Sequence, residues 1–370
     1  MVFTRSPEHA PREGNAIMTE SLQARVRRRR RWPRIVGLSA AALALTAVAL
    51  SLVFQFGLPW WSGANDSNHV HVSSDGARQH YQVHLPPQHD GSAELPVMMA
   101  LHGCGMTGFG WNSMKDATRF NALADREGFI VVYPTQRPFE SAINCWNSSD
   151  PRNQVRGSGE PALLAGVARE VVSTFGADAD RVHVSGASSG AGAAVILAAT
   201  YPDVFATVTS VAGGEYGLNQ VDPDDPDSTP PSATARQAWA QMGDRARPLP
   251  LLVVQGGQDD VVPTIVGERL VDHWVALHDL IDDGLLNDSL ALVSETVQHP
   301  PMATQYGYEH TTLRTAEGRA LVEYVFADRL GHAWSHPHSR GLFTDTGGPD
   351  VTRIAWAFAQ LHDAAAAGDG

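Results

Sequence analysis

Between Arg181 and Pro202 the chain reads RVHVSGASSGAGAAVILAATYP. A strand-like run gives way to five small residues, Gly186 to Gly190. A stretch of helix formers follows and stops at Pro202. A strand that turns directly into a helix belongs to a parallel sheet with helices on its faces. The turn also contains Gly-x-Ser-x-Gly, centred on Ser188. A sharp strand-to-helix turn lifts its central side chain above the sheet, and glycines on either side let the backbone pass without Cβ clashes. The helix N-terminus adds positive potential there. Ser188 is therefore the candidate nucleophile, and Ser189 lacks the spacing. The bland alternative is a tight turn with a capping serine.

The rest of the chain extends the same alternation. Segments 78–86, 95–103, 129–134, 181–186, 205–213 and 248–257 read as strands, several as continuous apolar runs buried on both faces. Segments 111–128, 159–176, 188–202, 267–280 and 350–364 read as helices, with Gly128 and Gly176 as stops. Segment 310–328 reads as a hairpin around Gly318. The Pro- and Asp-rich stretch 218–235 and the stretch 282–289 read as loop insertions. The expected fold class is α/β, with one domain over 78–364.

The N-terminus is different. Residues 1–34 carry nine Arg and three Glu, a balance of +6, while the remainder carries 18 basic and 37 acidic residues, a balance of −19. An acidic body repels polyphosphate, which argues against nucleic acid as a partner. Residues 35–58 hold no charge and are long enough for a bilayer. Positive charge before them keeps that flank cytoplasmic. The expectation is a basic cytoplasmic tail (1–34), a membrane anchor or signal segment (35–58), a polar tether (59–77) and an extracytoplasmic body. Cleavage near the small residues 62–64 is the alternative to an uncleaved anchor. The only two cysteines are Cys104 and Cys145. In an exported chain they suggest a disulfide, with two buried thiols as the alternative.

A serine needs a base oriented by a carboxylate. In a sheet of this kind the order is Ser, acid, His. Asp259, in VVQGGQDDVVP, and His332, in DRLGHAWSHPHSRG, both follow strands and fit that order. Asp260, His336 and His338 are their rivals. The amides of Ser189 and Cys104, the latter in LHGCGMTG, are the candidate oxyanion donors. Trp111, Trp146 and Trp334 are candidate pocket-lining residues, with core packing as the alternative. The cluster HAWSHPH offers His332, His336 and His338 to a metal, but HExxH is absent and Pro337 disfavours a helix. Neither metal nor cofactor is expected.

Taken together, LHGCG, NALADREGFIVVYPTQ, NCWN, GASSGAGAA, GGQDDVVP and GHAWS resemble the esterase/poly(3-hydroxybutyrate) depolymerase family over about residues 70–360. The resemblance implies an α/β-hydrolase fold with Ser188, Asp259 and His332 as triad. It also implies that Cys104 and Cys145 lie together beside the pocket. The expected activity is hydrolysis of a small or oligomeric ester, of hydroxybutyrate, feruloyl or acetyl type. Two departures stand out. Ser148 and Ser149 replace the family's usual aromatics after CWN, and Gln255 replaces its usual His. The first alters the acyl or alcohol pocket, so the substrate does not carry over. A separate polymer-binding module and a Thr-rich linker are also missing, which argues against a dedicated enzyme for crystalline polyester. A non-catalytic surface binding protein on this scaffold and a serine amidase or peptidase are the competing readings.

Overall fold

The computed structural model describes residue 40 and residues 42–362. Residues 42–56 form a helix, α1. The chain divides into two compact units, one ending at Leu52 and one beginning at Val53. The expected basic tail and residues 35–39 and 41 of the expected span lie outside the described residues. Among the described residues no helix is long and apolar enough to cross a membrane.

The second unit is built on one sheet of ten strands, in the order β1-β2-β4-β3-β5-β6-β7-β10-β9-β8. The strands are β1 (Asp66–Val72), β2 (Arg78–His84), β3 (Val97–Leu101), β4 (Ile130–Thr135), β5 (Val182–Ala187), β6 (Thr207–Val211), β7 (Leu251–Gly256), β8 (Val293–His299), β9 (Tyr308–Arg314) and β10 (Ala320–Ala327). From β4 across to β10 every neighbouring pair is parallel. The two flanking hairpins are antiparallel. Strands β3 to β7 are buried along their whole length, because helices cover both faces. Alternate residues feed two separate cores: Met99, Val132, Val184 and Val253 face one, Met98, Val131, Leu252 and Val254 the other.

The helices are α2 (Met114–Thr118), α3 (Phe120–Glu127), α4 (Gly159–Phe175), α5 (Ser189–Thr200), α6 (Pro231–Met242), α7 (Thr264–Asp283) and α8 (Val351–Gln360). Four expectations need correction. The single helix over 111–128 is two, broken where Arg119 takes φ 58°. The last part of the 218–235 loop is the start of α6, whose Pro231 occupies the first helical turn, where a missing N–H costs nothing. The 59–77 tether contains β1, which pairs with β2 along seven residues. Finally, the apolar run does not reach 58 as a free span. Gln55 is buried in the second unit, donating to Thr135 Oγ1 and to the Gln136 carbonyl. Phe56 packs on His80 and Phe109. Glutamine is the residue that betrays this: a buried amide needs partners, and the body supplies them.

Candidate active site

Strand β5 ends and α5 begins within one residue. Ser188, between them, takes φ 54° and ψ −119°. A non-glycine residue there costs roughly 1–3 kcal/mol. The surrounding bonds hold it: Ser188 N–H donates to the Val211 carbonyl at 2.9 Å, and the Ser188 carbonyl accepts from Ala191 at 2.9 Å and Gly192 at 3.1 Å. The flanking glycines are required by close approach. A Cβ on Gly186 would lie 2.1 Å from the Gly190 oxygen, and one on Gly190 would lie 2.4 Å from the Leu101 oxygen.

Asp259 and His332 stand on the loops after β7 and β10, neighbouring parallel strands. Two main-chain bonds, Gly257 to Ala327 at 3.0 Å and Gln258 to Leu330 at 2.9 Å, lace those loops together. His332 Nδ1 donates to Asp259 Oδ2 at 2.9 Å. The Asp259 carboxylate is fully shielded and also accepts from Val261 N–H at 3.0 Å and Val262 N–H at 2.8 Å. A carboxylate satisfied in this way is fixed in place and aims the far nitrogen of the imidazole, Nε2, away from itself. The rivals lie elsewhere. Asp260 is exposed. His336 faces Asp350 at 3.9 Å and accepts the His338 N–H through Nδ1. Among the described residues no group of three or more His, Cys, Asp or Glu is positioned for a metal ion.

Ser188 and His332 both line a cavity of about 410 Å³. Its walls are largely apolar: Met106, Ile143, Val211, Val261, Trp334 and Phe343. Cys104 is on the same wall, joined by a disulfide to Cys145. Ser188 and Ser189 also line a second cavity of about 300 Å³, of mixed character, with Ser148, Ser149, Gln154 and Asn219 beside Ile196, Leu218 and Val262.

The loop carrying Cys104 is shaped by a residue the sequence reading passed over. His102 is fully buried. Its Nδ1 donates to the Gly103 carbonyl at 2.8 Å and its Nε2 accepts the Gln136 N–H at 3.0 Å. Burial pushes its pKa down to about 4, so the ring is neutral and holds this one tautomer. Its position directly before Gly103-Cys104 was the available signal.

The tryptophans divide between the two alternatives, with Trp111 fitting neither. Trp146 is 2% exposed and packs beneath the site, donating through Nε1 to the His102 carbonyl at 3.0 Å. Trp111 is 47% exposed and packs at a tilt against Phe54, outside both cavities. Trp334 alone touches the apolar cavity, while its Nε1 is committed to Thr352 at 3.0 Å. Phe343, Val261 and Ile143 share the lining with Trp334. They sit on irregular loops, where no periodicity marks a pocket residue.

Comparison with known proteins gives the following. Residues 79–289 match the model of a family described as "Esterase PHB depolymerase". Poly(3-hydroxyalkanoate) depolymerase C of Paucimonas lemoignei is 30% identical over 258 residues, covering 65% of this chain and 55% of that protein. Feruloyl esterase B of Neurospora crassa is 37% identical over 118 residues, 32% of this chain and 38% of that one. Acetylxylan esterase A of Aspergillus ficuum is 36% identical over 132 residues, 34% and 42%. The chain thus spans about half the length of the depolymerase, and less of the other two. Among solved structures, the acetyl xylan esterase from Aspergillus awamori superposes with a TM-score of 0.56 at 23% identity, over 72% of this chain and 93% of that one, a likeness of fold.

Proposed function

Since this chain belongs to the esterase/PHB depolymerase family, we propose that it is a serine carboxylesterase acting through Ser188, His332 and Asp259. The observation that carries the reading is the strained Ser188 elbow on the wall of the cavity that His332 also lines, with Asp259 fixed behind the imidazole. Ser188 Oγ attacks the ester carbonyl as His332 takes its proton. Asp259 holds the ring and stabilises its cation. The amides of Ser189 and Cys104 are the donors for the oxyanion. His332 then protonates the leaving alcohol, and water releases the acid from the acyl-enzyme. The ester is a small molecule or an oligomer of hydroxybutyrate, feruloyl or acetyl type.

The body is also proposed to act outside the cytoplasm, held by an anchor or released by signal cleavage. The Arg-rich flank, the uncharged run 35–52 and the Cys104–Cys145 bond support this.

The test is a fluorophosphonate probe together with short-chain ester hydrolysis, on the wild type and on Ser188→Ala. The expected result is labelling and turnover in the wild type and neither in the variant, with turnover down by at least about 10⁴-fold, since loss of a triad nucleophile costs on the order of 10⁶. Turnover that survives in Ser188→Ala sinks the mechanism.

A further inference from the structure

Residues 53–61 open the second unit and are docked on it along their length. The Phe54 carbonyl accepts the Trp111 N–H at 2.8 Å. Gly110 makes that approach possible: a Cβ there would lie 2.2 Å from the Phe54 oxygen and 2.6 Å from the Gln55 oxygen. Phe56 packs on His80 and Phe109, and Lys115 Nζ reaches the Trp61 carbonyl at 3.5 Å. Gln55 is 2% exposed. Its amide directs both hydrogens at the end of β4, one at Thr135 Oγ1 at 3.1 Å and one at the Gln136 carbonyl. Packing alone does not call for an amide here, since burying one is costly unless it is bonded.

Both acceptors belong to the frame of the loop that carries Cys104. Thr135 Oγ1 also accepts the Gly108 N–H at 3.1 Å. The Gln136 N–H donates to His102 Nε2 at 3.0 Å, which leaves the ring proton on Nδ1. Nδ1 holds the Gly103 carbonyl at 2.8 Å, and the Met106 N–H holds the same oxygen at 3.3 Å. In a trans peptide the carbonyl and the following N–H point in opposite directions. Fixing the Gly103 oxygen therefore fixes the direction of the Cys104 N–H. That N–H takes no partner among the described residues, and Gly103 and Cys104 line the same cavity as Ser188. Gln136 Nε2 also donates to the Cys145 carbonyl at 3.0 Å, so one residue braces both halves of the disulfide.

We propose that Gln55 is a positioning residue for the oxyanion site: it holds Gln136, through Gln136 the His102 ring, and through that ring the Cys104 amide. This rests on the serine-esterase reading. Gln55 lines neither cavity. Its loss leaves ester binding alone and is felt where negative charge forms on the carbonyl oxygen. The proposal also decides between an anchor and a cleaved signal. Cleavage near residues 62–64 would cut residues 53–61 from the body and release Gln55, so the active enzyme keeps them.

Gln55→Met preserves the length of the side chain and removes both donors. Phe56→Leu loosens the packing of the same segment and leaves the amide in place. Both are made in the full chain, and a fluorophosphonate titrates each preparation so that rates are per labelled site. For Gln55→Met the expected kcat on a short nitrophenyl ester is lower by at least about tenfold with KM unchanged, within the roughly 10²–10³-fold cost of losing an oxyanion donor outright. A trifluoromethyl ketone, whose adduct with Ser188 carries an oxyanion, should bind more weakly by a similar factor. Phe56→Leu should lower Tm and leave kcat per site unchanged. An unchanged kcat in Gln55→Met, a ketone bound as tightly as by the wild type, or an equal loss of kcat in Phe56→Leu overturns the proposal and leaves the esterase standing. The intact mass of the labelled wild type needs no variant: residues 53–61 should be present, and a fully active species beginning after residue 61 overturns the proposal as well. A wild type that neither labels nor hydrolyses overturns the esterase reading, and the proposal with it.

Discussion

Asp259 shows how one residue's surroundings fix its role. Its carboxylate meets two main-chain N–H groups and one imidazole N–H, and it sees no solvent. In Asp259→Asn the amide can donate to Nδ1, which selects the tautomer whose Nε2 carries the proton and cannot act as base. The expected result is a kcat lower by roughly 10⁴-fold with the fold intact. Stopped assays on the purified variant beside the wild type measure it, and retention of more than a tenth of kcat contradicts the assignment. At this scale the sequence singled out the three residues of the proposed triad, of which the structure pairs His332 with Asp259 and sets Ser188 and His332 on one cavity. Gly-x-Ser-x-Gly, the acid and the histidine are marked by chain order and by position after strands. The tryptophans were not legible, because an aromatic serves a core and a pocket equally well. Trp146 went to the interior, Trp111 to the surface and Trp334 to the cavity wall, which it shares with Ile143, Val261 and Phe343 on irregular loops.

Among the elements, the central strands were readable as continuous apolar runs, because only a strand covered on both faces has that composition. Strand β1 was not. Asp66–Val72 is polar and lies at an edge, and its first residue is anchored by charge. Asp66 accepts from His84 Nδ1 at 2.7 Å, from Lys115 Nζ at 3.3 Å and from the Gly63 N–H at 2.8 Å. His84 Nε2 in turn faces Asp125 at 2.9 Å. Burial opposes ionisation of Asp66, but these bonds and charges outweigh it and hold the carboxyl down at about 2. His84 is raised: burial opposes its charge and the two carboxylates overcome the opposition. A lowered carboxylate contributes stability above its unfolded pKa of about 4 and loses it as pH falls towards 2. A raised histidine contributes below its ordinary value of about 6.5 and loses that as pH rises through the raised one. The clamp is therefore strongest between about pH 4 and 6.5. Asp66→Asn should lower the unfolding free energy by about 2 kcal/mol in that window, with the gap closing as pH approaches 2. Urea titrations at pH 2.5, 5 and 6 measure it, and a gap independent of pH refutes the clamp.

Over the whole molecule, the cross-link and the sheet edges govern behaviour. Cys104–Cys145 closes a loop of 41 residues, which by chain entropy restricts the unfolded state by about 4 kcal/mol. It also ties the loop beside Ser188 to the segment that carries Ile143, Ser148 and Ser149, so one covalent link braces walls of both cavities. The sheet ends at β8, whose residues 293–298 are all exposed and whose outer row of N–H and C=O groups has no neighbouring strand in the sheet. Val293 and Val297 are exposed on it, and Glu295 is the one carboxylate in the strand. Two such edges can zip together antiparallel, and a central charge is the usual guard against that. The edge bears on shelf life rather than on turnover. Concentrated solutions should stay clear at neutral pH, where Glu295 and the −19 balance of the chain after residue 34 keep molecules apart. Glu295→Val should cloud on standing at concentrations where the wild type does not, with esterase turnover per clear molecule unchanged. Static light scattering over days reads the difference, and equal scattering from both proteins would show that the edge is guarded by something other than this one side chain.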